Sequence, residues 1–131
     1  MESRFRRDLL AWLAEDAELS VGLNAVVEES PVAASPPWLG IAASASSDWG
    51  AKGAPGREVR VALELTCRGN DPDAIATLTD ALERRVATMP ADQGTYRVVL
   101  IQFLRSRAER RPGNMRAALT EYRFLILTEP G

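Results

Sequence analysis

Histidine is absent from these 131 residues, cysteine occurs once and lysine occurs once. Without histidine, the usual nucleophilic triads lose the base that activates their serine or cysteine. Zinc sites are built mainly from cysteine and histidine, so Cys67 alone leaves such a site without its ligands. A lone cysteine also rules out an internal disulfide and fits a reducing compartment. No apolar run approaches the roughly 20 residues of a membrane span. The N-terminal MESRFRRDLLAWLAEDAELS starts basic and then turns apolar, as a signal peptide does, but Asp8, Glu15 and Asp16 interrupt it. The expected place of synthesis is therefore the cytoplasm, with no membrane partner. Neither a GxxxxGK[ST] phosphate loop nor a GxGxxG after a strand is present. Gly50, Gly53 and Gly56 recur three apart, but no helix follows them, and they read as flexibility. No catalytic residue, cofactor site or metal site is expected.

What remains is an ordinary globular composition. Hydrophobic residues make up 46% and charged residues 26%. The length suits one domain, spanning residues 1–131. The net charge is −2, from 16 basic and 18 acidic residues, which disfavours a dedicated nucleic-acid binder. Lys52 is the only lysine; arginine carries nearly all the positive charge. Two readings of that bias stand: a coding preference, or the bidentate carboxylate pairing to which arginine is suited at interfaces.

Hydrophobic spacing gives the elements. Phe5, Leu9, Trp12 and Leu13 share one helical face, with Ser3 as N-cap and the helix ending between Ala17 and Leu23. Ala25–Glu28 reads as a short strand. Pro31, Pro36 and Pro37 exclude helix, and Trp38–Ser44 reads as a second strand. Ser46–Gly56 (SSDWGAKGAPG) has the composition of a loop, the long tip of a hairpin. In Arg57–Arg68, Val59, Val61, Leu63, Leu65 and Cys67 alternate with mostly polar residues, a strand with one buried face. Cys67 on that face reads as a small buried hydrophobe. Asp71 and Pro72 open a helix whose apolar face runs from Ile75 to Met89, and Pro90 ends it. Tyr96–Ser106 is apolar on both faces, as expected of a central strand. Arg105–Asn114 reads as a turn or protruding loop, and Met115–Thr128 as the last strand. The expected fold is α+β, a mostly antiparallel sheet with two helices packed on it, in the order α-β-β-β-α-β-β.

Candidate functional residues are few. Asp71 and Asp73 are explained by helix capping, and Glu28 and Glu29 by a solvated strand edge. Arg105, Arg107, Arg110, Arg111 and Arg116 flank a turn, either as a solvated loop or as a docking surface for an acidic partner or neighbouring subunit. Trp49 lies in a Gly/Ala/Ser segment too small to pack it. It either folds back on its own domain or anchors in a partner, where tryptophan is favoured.

The stretch from Pro37 to Leu65 (PWLGIA, SSDWGAK, GREVRVALEL) resembles the tail-completion, or tail-terminator, proteins of long-tailed phages. It is most similar to the branch carried by prophages and gene transfer agents. Trp49 and Lys52 match that family's loop, and Gly56, Arg57 and Glu58 the start of its next strand. Further matches are Asp16–Leu19, Ile75–Leu82 and the closing Thr128, Glu129 and Pro130. The alanine-rich Val32–Ala34 departs from the pattern. The resemblance implies a non-enzymatic virion protein that forms a homohexameric ring at the head–tail junction. Such a ring caps the tail tube protein, stops its polymerisation and meets the head-side connector. DNA passes through the lumen without sequence-specific binding. Trp49, Lys52, Arg57, Arg105, Arg107, Arg110 and Arg111 are then the expected subunit or partner contacts. The alternatives are another neck or tail ring and, from a different class, a small ligand-binding or enzymatic α+β oligomer.

Overall fold

The computed structural model describes residues 1–29, 35–51 and 53–128. Its elements are α1 (Glu2–Ala14), α2 (Ala17–Gly22), β1 (Ala25–Val26), β2 (Trp38–Ala51), β3 (Ala54–Arg68), α3 (Pro72–Ala87), β4 (Tyr96–Arg111) and β5 (Met115–Thr128). This is the expected α+β order with one helix added. The chain breaks at Glu15–Asp16, and the Asp16 carboxylate accepts a hydrogen bond from the Leu19 amide at 3.0 Å. That cap starts a separate short helix where one continuous helix was expected. Ser3 is not the N-cap of α1. The helix already begins at Glu2, whose carboxylate suits the positive end of the helix.

The sheet runs β1-β2-β3-β5-β4; β1 is parallel to β2 and every other pair is antiparallel. All three helices contribute to one core. Phe5, Leu9 and Leu13 of α1, Leu19 of α2, and Leu78, Leu82 and Val86 of α3 cluster with Val59, Val61, Leu63, Leu65 and Cys67 of β3 and with Tyr122, Phe124 and Ile126 of β5. Each large side chain there contributes about 1.5–3 kcal/mol by leaving water. Phe5 lies 4.7 Å from Phe124 and 6.3 Å from Tyr96 between ring centroids. The Tyr96 hydroxyl donates to Asp8 at 2.6 Å, tying the start of β4 to α1. Cys67 sits in this core, and burial pushes its thiol up to about 11, leaving it protonated and unreactive. At α3, Asp71 accepts from the Ala74 amide and Pro72 follows, as the sequence predicts.

Three expectations need correction. Ser46–Gly56 is mostly ladder rather than loop: β2 and β3 stay paired from Ser46↔Val59 to Ala51↔Ala54. Pairing along a long partner outweighs the weak strand preference of alanine, serine and glycine. Gly53 serves the reversal with φ of +82°, which suits a residue without Cβ. Second, Arg105–Asn114 is not a protruding loop. β4 continues to Arg111, and the turn is confined to Pro112–Asn114, with Gly113 at φ +76° and Asn114 at +57°. Third, Tyr96–Ser106 is no central strand, because β4 closes one end of the sheet. Two-sided burial belongs to β5, where Ala117–Thr120 and Phe124–Ile126 are buried. An apolar run reports that a strand will be covered, not by which neighbour. The first strand stops at Val26, short of Glu28, while the second continues past Ser44 to Ala51. Val32–Ala34, Lys52, Glu129 and Pro130 lie outside the described residues.

Candidate assembly surface

The predicted arginines occupy one strand. Arg105, Arg107, Arg110 and Arg111 all lie on β4, where Arg105 is opposite Glu121, Arg107 opposite Leu119, Arg110 opposite Arg116 and Arg111 opposite Met115. Arg105 donates to Glu121, which holds that carboxylate below its ordinary value and raises the guanidinium. Arg111 reaches Glu64 at 3.2 Å and Glu109 at 3.0 Å. Further along the sheet, Glu58 accepts from Arg60 at 2.9 Å and from Arg123 at 2.8 Å, and these bonds lower its pKa. Ion pairs thus run both along strands (Arg60–Glu58, Arg111–Glu109) and between strands (Arg105–Glu121, Arg123–Glu58, Arg111–Glu64) over β3, β5 and β4. The arginine stems also cover strand surface beneath them. Glu64, Thr66 and Leu119 are buried, although the core helices pack on the alternate residues Val61, Leu63, Leu65 and Tyr122. Arg110 departs from the pattern. It faces a second arginine, Arg116, across the ladder and makes no ion pair among the described residues.

The other predicted residues sit at the far end of the sheet. Trp49 pairs with Gly56, and Asp48 with Arg57, near the β2–β3 reversal. The Arg57 guanidinium lies 3.6 Å from Asp48, in solvent, where such a pair contributes little. Trp49 is half-buried; with Asp48, Gly50, Pro55 and Gly56 it lines a shallow depression at this tip. The structure therefore divides the predicted residues into two groups: an arginine-bearing end of β4, and a tip carrying Trp49 and Arg57. Lys52 lies outside the described residues.

A third group was missed. Val99, Leu100, Phe103 and Leu104 are exposed large hydrophobics at 45%, 38%, 49% and 37%. Two β-bulges and the edge position of β4 underlie this. The pairing with β5 skips Val99 and Leu104, so each is an extra residue without a partner there. The signal was present in the sequence, since an unbroken apolar run is what a covered strand looks like. Here no part of the chain described covers it.

A groove of about 640 Å³ lies between α2 and the start of α3, bordered by Val21, Pro37, Ala74 and Leu78. Its carboxylates, Glu18, Asp71 and Asp73, are exposed; Glu18 pairs with Arg84 at 2.9 Å, and Asp71 is engaged as a helix cap. Among the described residues no cluster of acidic, cysteine or histidine side chains suits a metal ion. No helix described is long and apolar enough to cross a membrane.

A family model described as tail completion protein gp17 matches residues 7–127. Among solved structures, a chain from the virion of a native gene transfer agent particle superposes with a TM-score of 0.74. The two are 18% identical, and the match covers 91% of each chain. At that identity the likeness concerns the fold. No curated protein matches the sequence.

Proposed function

The chain belongs to the tail completion protein gp17 family, whose members are structural parts of phage-type tails and not enzymes, and we propose that it is the terminator ring of such a tail. In this reading residues 1–131 act as one domain. Six copies close into a ring on the last ring of tail tube, stop its growth and present a surface to the head-side connector. The lumen lets DNA through without reading its sequence. The particle is a phage or a gene transfer agent, and the ring assembles in the bacterial cytoplasm. Lys52, the tip residues Trp49 and Arg57, and the arginines Arg105, Arg107, Arg110 and Arg111 make contacts to neighbouring copies or tube subunits.

The observation that carries this reading is the family match across nearly the whole chain. Physical features agree with it. Among the described residues most of β2 and most of β4 lack a strand on their outer sides, and a head-to-tail contact between unlike edges is what closes identical subunits into a ring. The groove between α2 and α3 does not favour a ligand-binding enzyme, since it is apolar and its acids face solvent.

Deletion of the gene, followed by electron microscopy of the particles, tests the proposal. Overlong tails, or tails that never join heads, are expected. Tails of normal length that stay unjoined would assign the chain to another neck ring. Normal joined particles would overturn both.

A further inference from the structure

The two open edges match each other in direction, size and charge. Among the described residues, β4 has no strand on its outer side. Its first residues are covered by the preceding segment, where Asp92 bridges Arg97 and Val98 donates to Ala91. The edge is therefore open from Val99 to Arg111. On the other side, β1 pairs with β2 at Trp38 and Leu39, and among the described residues no strand pairs with the outer side of β2 from Ile41 onward. Neighbouring strands from β2 to β4 alternate in direction. Placing the β2 edge of a second copy beside β4, with both copies upright, gives one more antiparallel pair.

Following the ladder across the sheet shows which residues share a level. Leu100 is opposite Leu125, which is opposite Glu58, which is opposite Ser47. In the same way Phe103 is level with Ser44, Gln102 with Ala45, and Arg107 with Gly40. The bulky exposed run Val99–Leu104 therefore lies level with Ala43–Ser47, whose side chains are all small. The arginine end of β4 lies level with the strand end beside which Glu28 and Glu29 emerge. A Cβ on Gly40 would stand 3.6 Å from the Glu29 carbonyl oxygen, which fixes that acid at the level of Arg107.

We propose that the bulged outer edge of β4 pairs antiparallel with the β2 edge of a second copy. Val99 and Leu104 cover the small residues Ala43–Ser47, and Arg107 meets the partner's acidic Glu29. The proposal rests on the ring reading and gives that ring its repeating contact. Large side chains against small ones fill the space, and opposite charges fix the register and exclude reversed docking.

Register-specific disulfide trapping in assembling cells tests it. Gln102→Cys is combined in turn with Ala43→Cys, Ala45→Cys and Ser47→Cys, with wild type, whose Cys67 is buried, as control. Cysteines bond only when their Cα atoms lie within about 7 Å. A ladder of covalent multimers, strongest for Ala45→Cys and weaker by about tenfold two residues away, is expected. A second arm reverses charge. Arg107→Glu and Glu29→Arg alone each lower the yield of joined particles about tenfold or more, and the two together restore it. No ladder at any of the three positions, or no rescue by the double reversal, overturns the pairing. The ring reading stands or falls separately, on the tail length of the deletion strain.

Discussion

Trp12 and Arg85 hold each other twice. The indole nitrogen of Trp12 donates to the Arg85 carbonyl at 2.8 Å, and the Arg85 guanidinium donates to the Trp12 carbonyl at 2.9 Å. The same guanidinium lies over the indole ring, 3.2 Å from its centroid. One side-chain pair thus links the C-terminal halves of α1 and α3, the helices that cover the sheet. Arg85→Ala removes the stacking and one hydrogen bond, and leaves the ring exposed. It is expected to cost about 1–3 kcal/mol, read as a lower urea midpoint with an unchanged slope. Arg85→Lys keeps the charge but not the planar stack, and should recover less than half of the loss.

Trp49 separates folding from assembly. It is half-buried at the hairpin tip and outside the core cluster. Trp49→Ala is expected to change stability by less than about 1 kcal/mol, while lowering the yield of joined particles tenfold or more. Thermal unfolding and particle counts measure the two effects. An unchanged yield in a folded variant removes the anchor role.

Gly56 positions that tip. A Cβ there would lie 2.5 Å from the Ile126 carbonyl oxygen and 2.5 Å from the Trp49 carbonyl oxygen. Both obstacles are backbone, so neither can rotate away. Gly56→Ala should therefore force β2, β3 and β5 apart locally, with a loss of about 1–3 kcal/mol. Gly53→Ala meets no atom within 4 Å and strains only its positive φ, so its cost should be nearer 1 kcal/mol. Comparing the two melting temperatures checks the order.

Acid should loosen the charged ladder before it touches the core. Arginine hydrogen bonds hold Glu58 and Glu121 below their ordinary value of 4.5. The folded chain thus binds these protons less tightly than the unfolded chain does. Their stabilising effect is complete above that ordinary value and fades as pH falls through the lower folded values. Neutral to mildly acidic buffers leave it intact. Glu58→Gln should flatten the fall in stability below the ordinary value, measured by urea titrations across the acid range.

The sequence reveals most where one residue carries one physical instruction. Period-two alternation in Val59–Cys67 placed β3 in the core, and Asp71-Pro72 placed the start of α3. It misled where an instruction has two meanings. Glycine, alanine and serine in Ser46–Gly56 permit a loop, but equally permit a strand when a long partner is present. The apolar run at Tyr96–Ser106 demanded cover, and the described residues leave Val99, Leu100, Phe103 and Leu104 without it. Bulges at Val99 and Leu104 depend on register with β5, which no local pattern encodes. For the candidate surface, the arginines and Trp49 were visible as residue types. That they lie at opposite ends of one sheet was not.

The open β4 edge has a further consequence for the life of the subunit before it finds its place. A freshly made copy exposes an apolar strand that any other extended chain can extend, the route by which sheets grow into fibrils. Arg97 and Arg105 bracket that stretch, and Arg107, Arg110 and Arg111 follow it closely, acting as gatekeepers. Charged side chains on an edge strand oppose indiscriminate pairing, so in the proposed ring the residues assigned to the joining edge are also the ones that guard it.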